Sequence, residues 1–164
     1  MAESSSDIQY LIDRAAIHDL LTRYFLGIDR GSPEQVRSCF TADIRAQYDK
    51  RTPTRGIEAL MDSLANFNKL KEETMKITTH FMGNLSFGRL EGDVAETESY
   101  ALALLVEPAN GADRVAVRSL RYLDRMRREA GGWRISDRIQ TLDWSCQVPA
   151  DFAITLKQRI SVLP

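Results

Sequence analysis

Two histidines in 164 residues leave few groups able to take up a proton near neutral pH, and one of them, His80, has surroundings suited to the task. It follows Met75-Lys-Ile-Thr-Thr79 and precedes Phe81-Met-Gly-Asn-Leu-Ser-Phe87, a β-branched and aromatic stretch that reads as a strand. Asp29 closes a long amphipathic segment much earlier in the chain. If folding joins the two in a pocket, they form a base and the carboxylate that orients it, enough to remove or relocate a proton. The neutral imidazole accepts the proton while the aspartate holds the other ring nitrogen as a donor. The plainer alternative for His80 is a core histidine bonded to backbone. For Asp29 it is a solvated acid, although negative charge at a helix C-terminus opposes the helix dipole.

The elements that must position this pair can be read from caps and periodicity. Ser6 or Asp7 can cap a helix whose apolar positions Ile8, Leu11, Ile12, Ala15, Ile17, Leu20, Leu21, Tyr24 and Ile28 recur every three or four residues, running to about Arg30. Gly31 suits a left-handed cap, and Ser32-Pro33-Glu34 starts a second, short helix that ends near Phe40. Ile44 to Tyr48 is a strand candidate, and the breaker-rich 50–56 segment leads into a third helix over about Ile57 to Leu70. Three long strands follow, Asp93 to Glu107, Arg114 to Arg128 and Trp133 to Trp144, with hairpin turns at Pro108-Ala-Asn-Gly111 and Ala130-Gly-Gly132. Helices first and antiparallel strands later predict an α+β fold. The expected layout is one domain over 7–148 with a C-terminal extension from Pro149, either a helix at an interface or a loosely held tail.

Composition narrows the function classes. A chain of 164 residues with 22 basic and 23 acidic side chains has net charge −1, which supplies no electrostatic footprint for nucleic acid or an anionic membrane. Cys39 and Cys146 lie far apart without a CxxC pair or a histidine cluster, so reduced, packed thiols are expected rather than zinc or a disulfide. No basic or apolar leader pattern opens the chain and no run is long enough for a membrane span, which leads us to expect a soluble, cytoplasmic protein. No phosphate-binding or dinucleotide motif is present, so no cofactor and no metal are expected. His18 beside Asp19 reads as a partly solvated residue. Arg118, Arg121, Arg125, Arg127 and Arg128 read as a solvated face or subunit contact, and Glu96 and Glu98 as their cross-strand partners.

Asp13-Arg-Ala-Ala-Ile17, Arg23-Tyr-Phe-Leu-Gly-Ile-Asp29-Arg-Gly31, Thr79-His80-Phe-Met-Gly-Asn-Leu85 and Gly132-Trp-Arg-Ile-Ser-Asp-Arg138 together carry a family resemblance. The chain resembles the SnoaL-like branch of the nuclear transport factor 2 superfamily from about Ile8 to Trp144. It is most similar there to scytalone dehydratase, hexachlorocyclohexane dehydrochlorinase and bile acid 7α-dehydratase. The resemblance implies a cone-shaped, curved, mostly antiparallel sheet wrapped by N-terminal helices around an apolar pocket, and homodimers or homotrimers. It places a His and Asp dyad on His80 and Asp29, two pocket tyrosines on Tyr24 and Tyr48, and a pocket arginine on Arg138. The tyrosines would donate hydrogen bonds to a substrate oxygen where charge builds, with core tyrosines as the alternative. Arg138 would bind a leaving group or carboxylate, or else form a salt bridge with a sheet acid. Tyr24 and Asp29 are five residues apart, about 140° around a helix, so both face one pocket only if it wraps the helix end.

Three functions follow as expectations. The first is a cofactor-independent lyase or isomerase, dehydratase-like, acting on a hydrophobic cyclic small molecule with His80 as general base. The second is a non-catalytic binding or assembly module resembling the small subunit of ring-hydroxylating dioxygenases. The third is a polyketide cyclase or epoxide hydrolase, in which Asp29 takes the leading role. The first requires His80 and Asp29 within hydrogen-bonding reach in a closed apolar cavity of roughly a few hundred Å³.

Overall fold

The computed structural model describes residues 2–64, 74–109 and 113–149. Helix α1 spans Ala2–Asp29, α2 Pro33–Arg37 and α3 Ile57–Ser63. The strands are β1 (Phe40–Tyr48), β2 (Thr54–Arg55), β3 (Ile77–Glu91), β4 (Val94–Pro108), β5 (Asp113–Glu129) and β6 (Gly132–Pro149). They form one sheet in the order β2-β1-β6-β5-β4-β3, antiparallel throughout except for the parallel β1–β6 pair. The fold class is α+β, a mixed and curved open sheet with the helices coming first in the chain.

The α1–α2 junction follows its sequence signals closely. Gly31 adopts φ 62°, its N–H donates to the Ile28 carbonyl, and the Ser32 N–H donates to the Gly27 carbonyl, the paired bonds of a Schellman motif. Ser32 then caps α2 through its hydroxyl, which accepts from the Gln35 N–H, with Pro33 at the first helical position. Gly27 is needed for another reason. A Cβ there would stand 2.7 Å from a Val36 methyl, so the glycine lets α2 fold back against α1.

Three expectations are corrected. α1 starts at Ala2 rather than at a Ser6 or Asp7 cap, because Ala2 and Glu3 are good helix formers that extend it. Its buried stripe begins only at Asp13, leaving Ile8, Leu11 and Ile12 more than half exposed. α2 stops at Arg37 and Phe40 already belongs to β1, since pairing with Ile135 of β6 overrides the local helical pattern. α3 ends at Ser63, with Leu64 outside helical dihedrals, and the rest of the expected helix lies outside the described residues. The same holds for the C-terminal extension, apart from Pro149, which completes β6.

Strand alternation decides what the concave face offers. The buried residues of β4 are Ala95, Thr97, Ser99, Ala101, Ala103 and Leu105, nearly all small, so the middle of the sheet leaves volume in front of it. α1 fills part of that volume with Ile17, Leu20, Leu21, Phe25 and Ile28, each burial favouring the fold by roughly 1.5–3 kcal/mol. The helix is locked to the far hairpin by Asp13, whose carboxylate accepts from the Trp133 indole N–H at 3.2 Å and from Arg128 at 2.7 Å. Burial pushes the Asp13 carboxyl up, but these donors outweigh it and hold it below the ordinary range. The remaining volume, between the end of α1 and the open end of the sheet, is the cavity described next.

Candidate active site

His80 lies near the start of β3, and its side chain is 6 % exposed. Asp29 is the last residue of α1, 7 % exposed, and it grips His80 twice. The His80 backbone N–H donates to Oδ2 at 2.9 Å, and Oδ1 accepts from ring Nδ1 at 2.6 Å. An ionised carboxylate only accepts, so beside it Nδ1 is the donor, and in a neutral ring Nε2 is then the basic nitrogen. Phe25 stacks on the imidazole at 5.4 Å between centroids and 27° between planes, fixing its tilt. The unfavourable position of Asp29 at a helix C-terminus thus has a structural counterpart in these two donors.

A cavity of about 160 Å³ adjoins the ring. This is smaller than the expected few hundred Å³, and close to the size that accommodates a single six-membered ring. Its polar wall comprises His80, Tyr24, Tyr48, Tyr122, Gln140 and Arg118, with Asp49 and Arg51 exposed at the rim. The apolar wall includes Ile28, Leu64, Ala103, Leu105, Leu120 and Leu142. The Tyr24 and Tyr48 hydroxyls are 3.1 Å apart and share one hydrogen bond, leaving one hydroxyl proton free for a third partner. Burial, helped by the neighbouring phenols, pushes Tyr24 well above the ordinary phenol range, and burial does the same to Tyr122. Both therefore stay protonated and keep a proton available for donation.

The geometric question about α1 also resolves. Tyr24 faces the cavity directly while Asp29 stands behind His80 and does not form part of the wall. The histidine bridges the 140° between them.

Arg138 is not among the residues that line that cavity, so it is not brought together there with His80, Tyr24 and Tyr48. Its guanidinium is fully buried and bonded at 2.7 Å through both Nε and Nη2 to Asp124, opposite it on β5. The salt bridge with a sheet acid, the alternative reading, is the observed one. The cation lies 4.2 Å from the Tyr24 ring centre and 4.7 Å from that of Tyr122, supporting both phenols from below. Burial opposes its charge, but the Asp124 carboxylate outweighs this and the group stays protonated.

Other expectations meet their residues as follows. His18 is about half exposed and lies 3.9 Å from Asp19, away from the cavity. Glu96 pairs with Arg125 and Glu98 with Arg121, the cross-strand pairs that alternation suggested. Cys39 is a buried free thiol, whereas Cys146 is free but exposed, not packed. Among the described residues no group of three or more His, Cys, Asp and Glu is placed to hold a metal ion, and no helix is long and apolar enough to cross a membrane. Sequence reasoning missed Tyr122, Gln140 and Arg118 as wall residues. The signal was available in β5, where Leu120, Tyr122 and Met126 share the parity of Arg118 and mark it as inward-facing.

Comparison with known proteins places the chain. Nothing among curated proteins matches it. Solved structures do: a candidate scytalone dehydratase from Novosphingobium aromaticivorans is 18% identical over 89% of this chain and 91% of its own, with a TM-score of 0.72. A type 2 hexachlorocyclohexane dehydrochlorinase is 20% identical over 87% and 93%, with a TM-score of 0.73. A candidate aromatic ring hydroxylase from N. aromaticivorans is 24% identical over 84% and 94%, with a TM-score of 0.72. At these identities the likeness speaks for the fold, the nuclear transport factor 2-like one. The SnoaL-like domain matches residues 9–139, nearly the whole of the described sheet and its helices, and the chain belongs to that family.

Proposed function

We propose that this protein is a cofactor-independent lyase or isomerase, dehydratase-like in chemistry, whose substrate is a hydrophobic cyclic small molecule. The observation that carries the proposal is the Asp29–His80 pair, bonded at 2.6 Å, with the imidazole on the wall of a cavity the size of one ring. His80 Nε2 takes a proton from carbon beside an activating carbonyl, and Asp29 stabilises the imidazolium through Nδ1. The free hydroxyl proton of the Tyr24–Tyr48 pair meets the oxygen on which negative charge builds. In an elimination, His80 then returns its proton to the departing hydroxide, releasing water. In an isomerisation it returns the proton to another carbon. Arg138 assists by holding positive charge beneath the Tyr24 ring and touches no substrate atom.

The position of Asp29 behind His80 argues for His80 rather than Asp29 as the group that meets substrate, and so against the cyclase or epoxide hydrolase reading. The binding or assembly reading draws support from the outer sheet face, where Phe81, Leu102 and Trp144 lie in one lateral row and are all exposed. The same row supports homodimer or homotrimer formation by a lyase. Free thiols at Cys39 and Cys146 suit a reducing, cytoplasmic setting.

The test is incubation with a panel of cyclic β-hydroxy ketones in D₂O. Enone absorbance reports elimination, and deuterium uptake at the α-carbon reports proton abstraction. Both are expected from the wild-type protein and lost from His80→Gln. Uptake that persists undiminished in His80→Gln but vanishes in Asp29→Asn would overturn the assignment of the base.

A further inference from the structure

Five of the arginines on β5 and β6 that were read together or as site residues have carboxylate partners: Arg121 with Glu98, Arg125 with Glu96, Arg127 with Asp43, Arg128 with Asp13, and Arg138 with Asp124. Arg118 stands apart. Among the described residues it makes no hydrogen bond and no ion pair, and Asp49, the acid on the same cavity, is not within pairing distance. Its side chain nevertheless forms part of the cavity wall and is only partly exposed.

Strand register defines where it stands. His80 pairs with Ala103 across β3 and β4, and Ala103 pairs with Arg118 across β4 and β5, so the three share one lateral row on the concave face. The outer two are separated by two strand spacings, roughly 10 Å at the backbone. The residue between them is alanine, whose methyl group leaves the intervening space open. His80 and a guanidinium without a partner among the described residues thus line one cavity from two strands apart on the same row. A planar guanidinium with several N–H donors matches a carboxylate better than any neutral group, and leaving it beside Leu120 and Leu105 without a partner among the described residues is unfavourable.

We infer that the substrate of this site carries a carboxylate, bound by Arg118, on a ring whose reacting carbon is presented to His80. Arg118 is then the residue that selects acidic cyclic substrates over neutral ones. The inference rests on the reading of this cavity as the substrate site of a lyase or isomerase.

Benzoate and benzamide, which match in shape and differ in charge, test it by NMR titration at pH 7. Wild-type protein is expected to bind benzoate about tenfold or more tighter than benzamide. Arg118→Met should weaken benzoate by about that factor and leave benzamide within about twofold, and Arg118→Lys should restore part of the preference. His80→Gln, which disables the proposed base, should keep it. Equal affinities in the wild type, binding of neither ligand, a preference that survives in Arg118→Met, or one abolished in His80→Gln would each overturn the inference. A protein that prefers benzoate yet exchanges no carbon-bound proton retains the anion site and loses the lyase reading. One that exchanges them without preferring benzoate does the reverse.

Discussion

The concave face of the sheet holds two arginines that point the same way from neighbouring strands and live under opposite conditions. At the closed end, Arg138 is sealed beneath Tyr24 and Tyr122 and bonded twice to Asp124, with essentially no exposure for either partner. At the open end, Arg118 reaches into a cavity where no carboxylate among the described residues stands within pairing distance of it, Asp49 at the rim included. The same side-chain chemistry is structural in one place and available in the other. What separates them is whether the row they occupy also supplies an acid: Asp124 faces Arg138, whereas Ala103 and Ser145 flank Arg118. A buried cation with its own counter-ion has no charge left for a ligand, and a cation beside an alanine does.

The sharpest way to break this contrast is at the closed end. Asp124→Ala leaves Arg138 buried without its partner and is expected to cost about 3–5 kcal/mol of stability, read as a lower denaturant midpoint. A loss under about 1 kcal/mol would mean that the pair is hydrated and the two ends are alike. At the open end, His80→Gln should lower turnover by about 10²–10⁴-fold while unfolding within about 2 kcal/mol of wild type, since in the proposed function the position serves chemistry more than packing. Comparable losses in turnover and folding would erase the distinction.

The exposed Asp43–Arg127 pair supplies a control for geometry without burial. Hydrogen bonding from Arg127 is the main cause that lowers the Asp43 carboxyl from 3.8 to about 2. Because the folded value is depressed, the contribution is present above about pH 4 and disappears as pH falls towards 2. With both side chains well exposed, Asp43→Asn should cost only about 0.2–1 kcal/mol at pH 7 and clearly less near pH 2, measured by thermal melts at the two values. The smallest effect is expected from Arg118→Met, whose stability at pH 7 should lie within about 0.5 kcal/mol of wild type. A large loss would reveal a structural partner and remove the contrast with Arg138.

Legibility in the sequence divides along similar lines. The His80–Asp29 pair was legible because histidine is scarce and Asp29 occupies an electrostatically unfavourable helix end, and the two meet at 2.6 Å. Tyr24 and Tyr48 were legible only through the family resemblance, since a helix residue and a strand residue 24 positions apart have no spacing rule, yet their hydroxyls touch. Arg138 had the correct parity to face inward, but parity fixes the face and not the depth, and its partner Asp124 was not singled out for it. Arg118 was misread because five arginines close in sequence were taken as one group, when a period of two divides them between opposite faces. Asp13 and Trp133, which helped to mark the family, prove to be anchors between α1 and the last hairpin rather than parts of the site.

Local chemistry by itself determined the helix ends at Gly31 and Ser32, the strand alternation, the two hairpins and the types of residue able to move a proton. Each of these depends on neighbours within a few positions, which any stretch of chain carries with it. Tertiary structure alone decided that β1 runs parallel beside β6, that the end of α1 meets the start of β3, and that His80, Ala103 and Arg118 fall into one row. Those outcomes depend on strand register and on how the helix crosses the sheet, and both are settled by the summed packing of residues remote in sequence.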